Sequence, residues 1–294
     1  MNLIRFISRI ARFNVKLLPF FLVAIVQTIG FAQPDSIGWV KKEIYPGIIH
    51  KSHHSDTVWS MWQNINILIA EPALIRTVIS FSKDTLYRTS HFGSSYPSLA
   101  GVNGGFFDVH KGGSVMYLKV NNISISSTII DPEKGRREHQ KGAFIITEEG
   151  RVVIETAKPD SVYDRMSVYE NVLVTGPLLI NNGKTVSLSN RAFNSDKHPR
   201  TAACITQEQR LLLITVDGRN EKAAGMSLFQ LTELLKISGC LDAVNLDGGG
   251  STTMWISKEP FNGVANMPSD NGLFDHIGER VCANTILLIE KSEY

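Results

Sequence analysis

Between residues 60 and 290 the apolar positions fall in short runs, each closed by Gly, Asn, Asp or Pro. The runs at 65–69, 143–146, 151–154, 172–180, 211–216 and 285–289 are rich in β-branched residues and bounded by turn formers, so they predict strands. "EEGR" at 148–151 and "NNGK" at 181–184 have the composition of tight turns, each predicting an antiparallel hairpin. The polar stretches 131–141 and 191–199 predict exposed loops.

One helix is well marked. In "GMSLFQLTELLKISGC", Ser227 and Gln230 have capping-box spacing, Met226 and Leu231 sit at staple positions, and Leu228, Leu231, Leu234 and Leu235 form an apolar stripe that stops at Gly239. The helix lies between two runs that both end in Asp-Gly, "LLLITVDGR" (211–219) and "LDAVNLDGGGS" (241–251). If the two strands are parallel, the crossover brings Asp217 and Asp247 side by side on one rim, where open sheets commonly bind ligands. The predicted class is α+β: a mixed β-sheet core with antiparallel hairpins, one strand-helix-strand crossover and few helices.

Composition changes this picture at the N-terminus. Arg5, Arg9, Arg12 and Lys16 precede the apolar stretch 17–29 and the small residues Gly30 and Ala32, which reads as a signal peptide over 1–32. Its removal takes four positive charges and no acid, moving the formal charge from +2 to −2. No basic excess then remains for nucleic acid, and no later segment is apolar enough to span a membrane. The expectation is a secreted or periplasmic protein with a single domain over 38–292. Cys204, Cys240 and Cys282 lack CxxC spacing; one disulfide is left open, with three buried thiols as the plainer reading.

Candidate chemistry gathers at glycines. "NLDGGGSTTMW" places Asp247 ahead of Gly248, Gly249 and Gly250, more glycines than a turn needs, followed by the hydroxyls of Ser251 and Thr252. Close approach of a ligand to bare backbone accounts for the excess, and successive amides suit an anion. "GVNGGFFD" offers Asn103, Gly104, Gly105 and Asp108; "HPRTAACIT" offers Arg200 and Thr201; Arg219 follows Asp217; and Ser269, Asp270 and Arg280 lie in the loop before the last strand. Phe106 and Phe107 read as core. No lysine follows the glycines as in a P-loop, no GxSxG supplies a nucleophile and no histidine spacing suits zinc; calcium stays open.

Taken in order, "GVNGGFFD", "GAFIIT", "GPLLINNG", "PRTAACIT", "VDGR", "GMSLFQLTELL", "AVNLDGGGSTTMW" and "PSD…ERVCANTILL" resemble the phosphodiester glycosidase family. The resemblance runs from about residue 38 to 290 and implies an exported hydrolase that frees a sugar from a sugar-1-phosphodiester. On that basis Asp247 is expected beside the anomeric carbon, with Arg200 and Arg280 neutralising the phosphate and Asp217, Asn103 and Asp108 positioning the sugar or a cation. Gln230 stands where the family often has Glu, and "NGLFDHIG" lengthens the loop before Glu279 and Arg280. Two other readings share these residues: a binder or assembly protein for phosphorylated glycans, and a calcium-dependent phosphodiesterase.

Overall fold

Side chains of the strand Leu211–Val216 alternate between two cores, Leu211 and Leu213 entering one and Leu212 and Ile214 the other. This period of two makes the strand a dividing wall, because successive Cβ atoms point to opposite faces. Its neighbours repeat the division: Ala203 and Ile205 go with Leu213, while Ala202 and Cys204 go with Ile214. Each fully buried aliphatic side chain here contributes about 1.5–3 kcal/mol.

The computed structural model describes residues 38–291 and the short strand Gln33–Pro34. The predicted signal peptide and residue 292 lie outside the described residues. The wall is a nine-stranded sheet in the order 33–34, 40–45, 48–55, 63–70, 211–216, 200–206, 240–245, 178–181, 184–185. On one face the helix Leu228–Ile237 packs Leu228, Leu231, Leu234 and Leu235, the stripe read from the sequence. Ser227 accepts from the Gln230 amide and Gln230 answers the Ser227 amide, closing the capping box. On the other face a five-stranded sheet and a four-stranded sheet (Met254–Ile256, Ser98–Asn103, Asn284–Glu290, Ile75–Phe81) share one large core with the wall. The architecture is α+β, dominated by antiparallel sheets.

Three details differ from the sequence reading. The crossover strands Leu211–Val216 and Cys240–Asn245 do run parallel, but Arg200–Thr206 lies between them and is antiparallel to both. The run 172–180 is two strands, Asn171–Thr175 and Leu178–Asn181, broken where Pro177 has no amide to give the ladder. Cys204 and Cys240 form a disulfide, with Cα atoms 5.7 Å apart, because the register of adjacent strands brings them onto the helix face together. Cys282 stays a buried thiol, pushed up to about 12 by burial.

Candidate active site

Register decides what meets at the rim. Arg200 pairs with Val216 and Ala202 with Asn245, so the start of Arg200–Thr206 and the ends of its two neighbours share one edge of the sheet. Asp217, Arg200 and Asp247 therefore come to the same rim, separated by a strand width rather than touching.

Asp247 is half-buried at this edge. Its amide donates to the Gly104 carbonyl at 3.0 Å, and its carbonyl accepts from Asn103 Nδ2 at 2.7 Å. Asn103 is itself fully buried, its Oδ1 accepting from Thr201 Oγ1 at 2.8 Å and from the Thr253 amide at 3.1 Å. Thus Asn103 fixes the backbone on either side of the glycines. Burial pushes the Asp247 carboxyl up to about 6, against the Ser251 hydroxyl, the Gly248 amide at 3.0 Å and the charge of Arg280. Ser251 Oγ faces this carboxyl without reaching regular hydrogen-bond geometry, and the hydroxyls of Thr252, Thr253 and Ser269 likewise have no partner.

Each of the three glycines answers to a different neighbour. A Cβ on Gly248 would stand 2.7 Å from the Pro199 carbonyl oxygen. Gly249 has φ +62° and would carry its Cβ 3.0 Å from Arg219 Nη2. At Gly250 a Cβ would collide with Asp270 Oδ1 and stand 2.6 Å from Arg280 Nη2. The close approach expected of a ligand is made in part by the protein's own guanidinium groups.

Those groups redistribute the expected roles. Arg200 shares the face of Ala202 and Cys204, so its side chain turns toward the helix layer rather than into the rim. There Nε donates to the Met226 carbonyl at 2.9 Å, and Nη2 donates to the carbonyls of Phe193 at 2.8 Å and Asp196 at 2.9 Å. Burial lowers its pKa to about 10. These bonds hold Nε and Nη2 on backbone carbonyls, away from the expected phosphate clamp. Arg219, by contrast, is exposed beside Gly249 and makes no hydrogen bond or ion pair with the described residues. On the other side of the loop, Arg280 Nε donates to Asp270 Oδ1 at 2.8 Å.

Asp217 is also occupied. It accepts from Asn64 Nδ2, Asn266 Nδ2 and the Met267 amide, at 2.6, 2.6 and 2.8 Å. Burial pushes its carboxyl up to about 7 despite these donors. With 1% of its surface exposed, it ties the 266–280 loop to the sheet and does not face the rim. Asp108 caps its own turn, accepting from the His110 and Lys111 amides, and Gly105 donates to Asn284 Oδ1 at 2.7 Å.

Asn266 and Asn284 were not singled out by sequence, and Phe106 and Glu279 make contacts the sequence did not show. Asn266 and Asn284 are fully buried amides that hold the loop and "NGG" backbones. An Asn opening the apolar run 285–289 was the available signal for the second. Phe106 is half-buried against the cluster of Tyr117 and Tyr163: with His139 at 5.6 Å and Phe193 at 6.3 Å it forms an aromatic wall, and Arg200 lies over the Phe193 ring at 5.5 Å. Glu279 accepts from the Ser90 amide and hydroxyl at the start of the helix Thr89–Ser94, and burial raises its pKa. Among the described residues no group of three or more His, Cys, Asp or Glu is placed to hold a metal, and no helix is long and apolar enough to cross a membrane.

The family model described as Phosphodiester glycosidase matches residues 97–289, a span that includes Asn103, Arg200, Arg219, Asp247 and Arg280. The chain is 27% identical over 183 residues to N-acetylglucosamine-1-phosphodiester alpha-N-acetylglucosaminidase of Mus musculus, covering 58% of this chain and 33% of that protein. It therefore spans about a third of the length of this curated relative. A prophage-derived uncharacterized protein of Bacillus subtilis is 29% identical over 118 residues, covering 34% of this chain and 18% of that one. In structure, the zebrafish N-acetylglucosamine-1-phosphodiester alpha-N-acetylglucosaminidase catalytic domain superposes with a TM-score of 0.66 at 21% identity, covering 85% of this chain and 86% of that one. A hypothetical protein from Synechocystis gives 0.62 at 13% identity, covering 86% and 64%. These likenesses show the same fold.

Proposed function

The chain belongs to the phosphodiester glycosidase family, and on that premise we propose that it hydrolyses a sugar-1-phosphodiester at the bond between the anomeric carbon and oxygen. The observation that carries this reading is a half-buried carboxyl, Asp247, with guanidinium groups on both sides of the glycine loop that follows it. Leaving of a phosphate monoester needs little proton help, because that oxygen is weakly basic. Positive charge grows on the sugar ring instead, and ionised Asp247 is the group to meet it. Arg219 would neutralise the departing phosphate, with the Gly250 amide, the unpartnered hydroxyls of Ser251 and Thr252 and the part of Arg280 not held by Asp270 as further donors. The aromatic wall of Phe106, His139 and Phe193 would receive the sugar face.

In the same reading the protein is exported. The leader-like residues 1–32 and the Cys204–Cys240 disulfide both suit an oxidising compartment.

The test is release of free sugar from N-acetylglucosamine-1-phosphate methyl diester, the sugar being the one in the mouse relative's name. Wild type should release it and Asp247→Asn should lose at least about 10³-fold in kcat with an unchanged melting temperature. Near-normal turnover by the variant would remove Asp247 from the chemistry. Repeating the assay with a chelator addresses calcium; with two arginines supplying the charge, the rate is expected to persist.

A further inference from the structure

The rings of the aromatic wall come from three segments, and each segment is tied to the stretch 245–249 that carries Asp247. Phe106 follows closely on Gly104, whose carbonyl holds the Asp247 amide at 3.0 Å. The Phe193 carbonyl is held by Arg200, and the adjoining Pro199 carbonyl accepts from the Gly249 amide at 2.8 Å. The turn Glu138–Gln140, which carries His139, packs on Gly176, where a Cβ would stand 3.1 Å from the Glu138 carbonyl oxygen. The Gly176 carbonyl in turn accepts from Asn245 Nδ2 at 2.9 Å, just ahead of Asp247. The wall is therefore anchored at three points to the carboxyl's own segment.

Its weakest member is Phe193, which is 39% exposed and sits on the helix Ala192–Ser195, too short to be stable by itself. Glu138 fastens that helix. One carboxylate oxygen accepts from the Ser189 amide at 2.8 Å; the other accepts from the Ser189 hydroxyl at 2.7 Å and from Asn194 Nδ2 at 2.8 Å. Asn194, fully buried, also donates to the Ser189 carbonyl at 2.8 Å, so the segment closes on itself around the carboxylate. Every side-chain hydrogen bond that Glu138 makes among the described residues thus goes to the segment bearing Phe193, while the next residue in its own turn is His139, whose ring lies 6.2 Å from that of Phe193. Burial pushes the Glu138 carboxyl up, but the donors outweigh it and hold it below the ordinary glutamate range, so these bonds are charge-assisted at neutral pH.

We propose that Glu138 is the positioning residue of the aromatic wall: by holding Phe193 against His139 and Phe106 it sets how tightly the sugar half of the substrate is bound. The clamp stands on its own geometry; its service to a sugar rests on the hydrolase reading. The experiment compares Glu138→Ala, Phe193→Ala and the pair on N-acetylglucosamine-1-phosphate methyl diester. Each single variant should raise KM about tenfold with kcat nearly unchanged, since Asp247 and the glycine loop keep their own supports. Because Glu138 acts through Phe193, the pair should be no worse than either single variant. A pair that multiplies the two effects, an unchanged KM in Glu138→Ala, or a fall in kcat with KM unmoved would overturn the proposal. Glu138→Gln has nearly the same shape and keeps one acceptor oxygen, so it should raise KM less than Glu138→Ala, and it takes the place of Glu138→Ala in the cycle if that variant does not fold.

Titration calorimetry separates this from the hydrolase reading. N-acetylglucosamine-1-phosphate should bind Glu138→Ala, Phe193→Ala and the pair about tenfold more weakly than wild type, all three alike. If this pattern holds while the diester is not cleaved, the clamp stands and the hydrolase reading fails. If the diester is cleaved but the titration is the same in wild type and Glu138→Ala, the hydrolase stands and the assignment of Glu138 fails. No binding to wild type, with no cleavage, would overturn both.

Discussion

In the proposed reaction Asp247 and Arg219 would divide the work that a single residue type cannot do: one would meet positive charge on the sugar, the other negative charge on the phosphate. Burial holds the Asp247 pKa near 6, so in the folded protein the carboxyl is protonated below that pH and ionised above it. Because the ionised form is the one required, kcat/KM should fall about tenfold per pH unit below about 6 and level off above it. A profile flat from pH 4 to 8 would contradict the role. The two arginines near the rim should separate cleanly. Arg219→Ala removes a side chain with no hydrogen bond or ion pair among the described residues and should raise KM by an order of magnitude or more with little change in thermal stability. Arg200→Ala removes three hydrogen bonds made by a buried guanidinium, one of them to the carbonyl of buried Met226, and should cost about 3 kcal/mol in stability, read by denaturant unfolding.

At the scale of elements, what could be read in advance was whatever depends on near neighbours in the chain. The helix announced itself through Ser227, Gln230 and its leucine stripe, and most strands through short β-branched runs, because those signals are local. The insertion of Arg200–Thr206 between the crossover strands is a long-range pairing, and no local pattern encodes it. That insertion explains the change in Arg200's role. Once the strand's inward and outward faces are assigned, Arg200 must point with Ala202 and Cys204 toward the helix, whereas Thr201 points with Ala203 to Asn103. The cysteine pairing was hidden for the same reason. The disulfide closes a sequence separation of 36, so Cys204→Ala/Cys240→Ala should lower stability by roughly 3–4 kcal/mol in an unfolding titration without changing the site's pH profile.

Across the whole molecule, one sheet divides two cores and leaves its loops to meet at one edge. Segments near residues 103, 200, 219, 247 and 280 converge there, and the buried amides of Asn103, Asn266 and Asn284 hold them in place. The glycine loop stood out as a candidate site because three successive glycines exceed a turn's needs, but which groups crowd each glycine did not, since Arg219 and Arg280 arrive from distant sequence. The aromatic wall was equally hidden, its rings coming from residues 106, 139 and 193. The proposed reaction breaks the carbon–oxygen bond, with Arg219 and Arg280 beside an intact phosphate as it leaves. Hydrolysis in heavy-oxygen water followed by mass spectrometry of both products tests this most directly. Label in the released sugar and none in the phosphate is the expected result; label in the phosphate would mean attack at phosphorus and would contradict it.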